Sequence, residues 1–150
     1  MSGTSHDAID VSILKIEENF TLDFFHSKRI PNSLKNRIKN IMESDTVSLD
    51  ELGQLNKRIG YSFAQAINES IEQSKLKRKK VKCVAISGQT IRHDVASANP
   101  FSMQIGDPNV VCNETGLTTI SDFRNMHISL GGEGAPLVPE FHNELFHSSR

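Results

Sequence analysis

From Asp10 to Ile16 apolar and polar side chains alternate, and the alternation resumes from Phe20 to Ser27. A period of two marks a half-buried strand. The polar Glu17-Glu18-Asn19 between the two runs supplies a turn, so the pair reads as a hairpin. Pro31 suits the first position of a helix reaching about Glu43, with Leu34, Ile38 and Ile41 on one stripe. Ser48-Leu49-Asp50-Glu51 is a capping box, and it opens the longest periodic segment of the chain. Leu52, Leu55, Ile59, Phe63, Ile67 and Ile71 recur at helical spacing, which predicts a helix to about Lys75 with that face in the core.

Beyond this helix the apolar runs shorten. Val81 to Ile86 reads as a central strand, Phe101 to Ile105 as a short strand, and Pro108 to Thr115 as a helix stopped by Gly116. Leu117 to Ser121 reads as another strand and Leu137 to Phe146 as a closing helix. The order ββααββαβ predicts one α/β domain, a mixed sheet with flanking helices.

Polar clusters follow these runs. Ser87-Gly88-Gln89-Thr90-Ile91-Arg92-His93 comes after the first apolar run, Gln104-Ile105-Gly106-Asp107-Pro108-Asn109 after Phe101, and Asp122-Phe123-Arg124 after Ile120. Gly131-Gly132-Glu133-Gly134-Ala135-Pro136 comes next. Open α/β sheets place ligand groups at such strand ends. The chain also opens on Met1 to Asp10, a cluster of glycine, hydroxyls and carboxylates of the kind that closes a backbone turn around phosphate and orients a metal or water.

Bulk properties narrow the class. With 150 residues, 37% of them hydrophobic and 23% charged, the chain suffices for one domain with a modest core. A formal net charge of -1 argues against nucleic-acid binding through a broad basic field. The basic run Lys75 to Lys82 falls at the end of a predicted helix, where cations complement the dipole. No stretch approaches the ~18 apolar residues of a membrane span, and the N-terminus has no export signal, so a cytoplasmic location is expected. Cys83, in a buried strand, and Cys112, in a helix, read as small core residues of a reducing compartment.

Taken in order, MSGTSHDAID, SGQTIRH, QIGDPN, DFR and GGEGAPLVPEFH resemble the motifs of the anhydro-N-acetylmuramic acid kinases, a family of the sugar kinase, heat-shock protein and actin superfamily. The family pattern reads MSGTS-x-DG-x-D, SHGQT, QIGDP, DFR with a further Asp, and GGQGAPLVP-x-FH. Here Ala8 stands for a glycine, Ser87 for a histidine, His127 for an aspartate and Glu133 for a glutamine.

The resemblance implies a partial N-terminal lobe with the ribonuclease H-like fold. It also implies ATP-dependent phosphorylation of 1,6-anhydro-N-acetylmuramic acid, with hydrolytic opening of the anhydro ring to N-acetylmuramic acid 6-phosphate, as in peptidoglycan recycling. ATP and Mg2+ are the implied cofactors, the anhydro amino sugar and ATP the implied ligands, and no nucleic acid or membrane is implied. Carried over, the ATP-binding residues are Gly3, Thr4, Ser5, His6, Asp7, Ala8, Ile9 and Asp10, with Asp7 or Asp10 reaching the metal through water. The substrate-binding residues are Gln89, Thr90, Asp107, Asp122, Arg124, Gly132 and Glu133, with Arg124 suited to the lactyl carboxylate or to phosphate. Ala8 is expected to strain a turn that glycine would relax, by ~1 kcal/mol.

The family's general-base aspartate lies in an Asp-x-Gly-Pro-Gly segment expected beyond Arg150, so no catalytic residue is assigned within this chain and its isolated activity is expected to be absent. A homodimer or a separately encoded C-terminal half are the assemblies left open. The alternative from another class is a non-catalytic sugar-binding or regulatory module.

Overall fold

The computed structural model describes residues 7–18 and 20–146. The chain begins with the expected hairpin: β1 (Ala8–Ile16) pairs antiparallel with β2 (Phe20–Arg29), with a bulge at Ile13/Leu14. α1 (Asn32–Glu43) follows, with Pro31 as its N-cap and Leu34, Ile38 and Ile41 buried as the stripe predicts. α2 (Leu49–Gln73) is the 25-residue axis of the molecule, about 37 Å long at 1.5 Å per residue. Its start carries the Ser48 half of the capping box read from the sequence, since the Ser48 hydroxyl accepts the Glu51 N–H at 3.1 Å. Leu55, Ile59, Phe63, Ala66, Ile67 and Ile71 form its buried face and the centre of the core, which Ile9, Ile30 and Leu34 join from the first half and Ile86, Ile105, Val111 and Leu117 from the second.

The hairpin is also fastened to α2 by charge. Glu69 accepts from Lys28 Nζ at 2.5 Å and lies 3.4 Å from His26 Nε2. The Lys28 bond outweighs partial burial and holds the Glu69 carboxyl below its ordinary value.

The second half departs from expectation in several places. A 3-10 turn at Arg78–Lys80 leads to β3, which spans only Val84–Ala85 and pairs parallel with the equally short β6 (Thr119–Ile120). Most of the polar cluster Ser87 to His93, for which the sequence pattern predicts no strand, lies in strand β4 (Gln89–Asp94), antiparallel to β5 (Phe101–Ile105). Parallel and antiparallel pairings are therefore both present, but as three separate two-stranded sheets among the described residues.

α3 (Pro108–Thr115) stops at Gly116 as expected, and α5 (Pro139–Phe146) closes the described chain. Between them Phe123–Ser129 forms an unforeseen short helix, α4. Both cysteines are exposed, not core. Cys83 lies just outside the two-residue β3, and Cys112 sits on the face of α3 turned away from the buried Val110, Val111 and Thr115. No described helix is long and apolar enough to cross a membrane.

Candidate functional site

The three strand ends singled out by the sequence meet at one open cleft of about 530 Å³. Ile86, Ser87 and Gly88 reach it from the end of β3. Ser102, Gln104 and Gly106 reach it along and beyond β5, and Ser121 and Asp122 from the end of β6. Asn56 of α2 and Asn125 of α4 complete its polar lining.

Two asparagine side chains set the shape of this cleft. Asn56 accepts the Gly106 N–H through Oδ1 at 2.7 Å, while its main-chain carbonyl accepts the Asp107 N–H at 3.2 Å. The turn so held demands glycine: Gly106 has φ 118, and an added Cβ would strike the Phe63 ring. Near the start of β5, Asn125 Oδ1 accepts the Ser102 N–H at 2.9 Å and Nδ2 donates to the Ser102 carbonyl at 2.9 Å. The same Nδ2 donates to Asp122 Oδ1 at 2.7 Å. That bond holds the carboxylate of a residue whose backbone is left-handed, φ 64 and ψ 36, a conformation that non-glycine residues adopt at a cost and aspartate tolerates better than most.

The sequence-derived substrate set divides by position. Asp122 lines the cleft. Gln89 is buried on β4, and Thr90 is reached from the cleft through Gln104, whose Nε2 donates to Thr90 Oγ1 at 3.2 Å. Asp107 is buried with both carboxylate oxygens engaged in the fold: Oδ1 accepts the Asn109 N–H at 2.8 Å, capping α3, and Oδ2 pairs with Lys57 at 2.6 Å. The Lys57 bond, joined by those from Asn109, outweighs burial and lowers the Asp107 carboxyl below its ordinary value.

Arg124 is half-buried on α4 and makes no ion pair or side-chain hydrogen bond among the described residues. Glu133 is exposed in the glycine loop. Gly132 packs on His127, where an added Cβ would land on the imidazole ring, and His127 Nδ1 accepts the Gly134 N–H at 3.1 Å. His127, at a position where the resemblance expects aspartate, thus supports the loop as an acceptor.

Of the expected ATP-binding set, Gly3, Thr4, Ser5 and His6 lie outside the described residues. Asp7 pairs with Lys35, and Asp10 accepts from Ser27 Oγ at 2.6 Å. Ile9 is core, 3% exposed. Ala8 pairs with Arg29 inside β1 and is not among the residues of positive φ, so the expected backbone strain at this position is absent. Among the described residues no group of three His, Cys, Asp or Glu side chains converges as a metal site.

Sequence reasoning missed both asparagines. Asn56 had a signal, because a polar residue at that position sits on the edge of the apolar stripe between Leu52 and Ile59. Asn125 had none, since α4 carries no readable period.

Comparison with known proteins gives one consistent result. Residues 1–150 match the family model described as Anhydro-N-acetylmuramic acid kinase. Proteins named anhydro-N-acetylmuramic acid kinase are similar throughout: that of Gamma-proteobacterium EBAC31A08 is 59% identical over 150 residues, covering 100% of this chain and 41% of the relative. That of Vibrio cholerae is 36% identical over 151 residues (100% of this chain, 41% of the relative), and that of Sulfurimonas denitrificans 41% identical over 147 residues (97% and 40%). The chain spans about two fifths of the length of these curated relatives. With five ordered motifs, their strand-end clusters gathered at one cleft, and a family match over every residue, the chain belongs to the anhydro-N-acetylmuramic acid kinase family.

Proposed function

We propose that these residues form the sugar-binding part of an ATP-dependent kinase that transfers phosphate to O6 of 1,6-anhydro-N-acetylmuramic acid while the anhydro ring is opened by water. In this reading they belong to one lobe of the ribonuclease H-like superfamily and act in peptidoglycan recycling. The observation that carries the reading is the convergence of Ser87-Gly88, Gln104-Gly106 and Ser121-Asp122 on one cleft. Holding reactants in fixed geometry is the main service a protein renders to phosphoryl transfer.

Asp122, oriented by Asn125, is an acceptor for a sugar hydroxyl. Arg124, which no described carboxylate neutralises, is the cation available for the lactyl carboxylate, and a planar guanidinium matches a carboxylate with two parallel bonds. Asp107 serves by building the turn and helix beside the cleft, because its oxygens are already taken. ATP supplies the transferred phosphoryl group, and Mg2+ would offset its charge. The residues proposed to approach the triphosphate are those from Gly3 to Asp10.

The test is a chimera in which these 150 residues replace the matching part of the Vibrio cholerae relative. ADP release from MgATP is expected to depend on the anhydro sugar. Arg124→Ala is expected to raise the apparent KM for the sugar by about ten- to a hundredfold, as loss of a charge-assisted bond of ~1.5–3 kcal/mol implies. Sugar-independent ADP release, or a KM indifferent to Arg124→Ala, would overturn the assignment.

A further inference from the structure

The β4–β5 hairpin carries a row of polar atoms that the fold does not satisfy. Ser102 is 2% exposed and lines the cleft, yet its Oγ has no hydrogen-bond partner. Two residues along the same strand, and therefore on the same face, Gln104 also lines the cleft. Its Nε2 is spent on Thr90 Oγ1, while its Oε1 is unpartnered. Across the ladder from Ser102 stands His93, whose Nδ1 is a third unpartnered atom.

A buried hydroxyl or carbonyl without a partner costs stability, and native proteins satisfy nearly all of them. Among the described residues such atoms also include Gln89 Oε1 on β4, and of the four residues concerned Ser102 and Gln104 are the two that line the cleft. Ser102 is also held with unusual care. Asn125 bonds both its N–H and its carbonyl, fixing the Cα from which the hydroxyl projects.

We propose that Ser102 Oγ and Gln104 Oε1 form a subsite for a neutral polar substituent of the sugar, a hydroxyl or the N–H of the acetamido group. This inference rests on the sugar-binding reading and adds to it a specificity determinant distinct from Arg124. The unpartnered atom sets the chemistry at this point. One N–H of the Gln104 amide is committed to Thr90, and the Oε1 left without a partner accepts from O–H or N–H and repels a carboxylate or phosphate oxygen. Ser102 Oγ both donates and accepts, so it completes a pair of bonds to one hydroxyl or one amide. The lactyl carboxylate is thereby directed to Arg124 and the neutral substituents to β5, which fixes the sugar's orientation.

The experiment titrates the 150-residue chain with 1,6-anhydro-N-acetylmuramic acid and, separately, with N-acetylglucosamine, which has the acetamido group and hydroxyls but no lactyl ether. Side-chain amide and backbone NMR shifts of Gln104 and Ser102 report occupancy. Ser102→Ala is expected to weaken both sugars about five- to tenfold, the cost of one neutral hydrogen bond left unmade, while Ser102→Thr keeps most of the affinity. Arg124→Ala should weaken only the anhydro sugar.

A second readout separates ligand binding from structure. If the hydroxyl is kept for a ligand, Ser102→Ala removes an unsatisfied buried group, and the unliganded chain should melt at the same or a higher temperature. A fall in Tm together with unchanged sugar affinity would assign Ser102 to the fold and overturn the subsite, leaving the sugar-binding reading in place. Loss of N-acetylglucosamine binding in Ser102→Ala, with the anhydro sugar bound no better than N-acetylglucosamine by the unmodified chain, would uphold the subsite and overturn the anhydro-muramic assignment. Absence of any shift at Gln104 and Ser102 with either sugar would overturn both.

Discussion

Replacing Asp107 with alanine tests whether the aspartate of the Gly106-Asp107-Pro108 turn serves the fold. The side chain does two jobs: it caps α3 through the Asn109 N–H at 2.8 Å and pairs with Lys57 at 2.6 Å. Loss of an N-cap costs ~1–2 kcal/mol. The ion pair is worth less than its length suggests, because the Lys57 side chain is 57% exposed and returns to water when its partner goes, which places the pair at up to ~1 kcal/mol.

Asp107→Ala should therefore destabilise by about 1–3 kcal/mol, a fall in Tm of roughly 2–12 °C for a domain of this size. Asp107→Asn keeps an acceptor for the cap and loses only the charge, so its cost is expected below ~1 kcal/mol. Lys57→Met should match it. Urea unfolding followed by circular dichroism at constant m-value measures all three. If Asp107→Ala costs less than ~0.5 kcal/mol, or if Asp107→Asn costs as much as Asp107→Ala, the capping argument fails.

Two further outcomes follow from the geometry. Gly106→Ala combines a φ of 118 with a collision against Phe63, and strain plus overpacking should cost about 3 kcal/mol, read as a drop in Tm; a loss under ~1 kcal/mol would show that the turn relaxes. Acid should weaken the fold through Glu69 and Asp107, whose carboxyls both titrate below their ordinary values when folded. Because the unfolded chain then binds protons first, their contribution is complete above about pH 5 and is lost as pH falls through ~4 and below. The urea midpoint should accordingly hold steady between about pH 7 and 5.5 and then decline, and the double variant Glu69→Gln/Asp107→Asn should flatten that decline; an equal slope in the variant would refute the attribution.

The elements that the sequence disclosed are those in which one periodicity runs long enough to be seen. β1 and β2 each alternate over several residues, and α2 announces its start with a side chain that does cap it, Ser48. The elements that stayed hidden lack such local causes. β4 exists because Gln89 to Asp94 finds β5 across an intervening loop, a non-local pairing that no window over β4 contains.

α4 begins at a left-handed Asp122 that makes no side-chain cap bond, so the usual start signal is missing. The run Val81 to Ile86 was apolar enough for a full strand, but its partner β6 offers two residues, and the ladder stops there. At the cleft, the strand-end clusters were legible from chain order, whereas the clamps Asn56 and Asn125 depend on contacts 50 and 23 residues away in the chain and could not be.

The Asn125 carboxamide does for β5 what a neighbouring strand would do. It presents one donor and one acceptor to the main chain of Ser102 and occupies the edge at that point, so another strand cannot zip onto it there. Mechanically this is a rivet. α4 and β5 are joined at one wall while Asn56 pins the far end of β5 to α2, and these parts of the cleft travel as one piece. Ser87-Gly88, the short stretch of lining between β3 and β4, is bonded to neither asparagine and stands outside this frame.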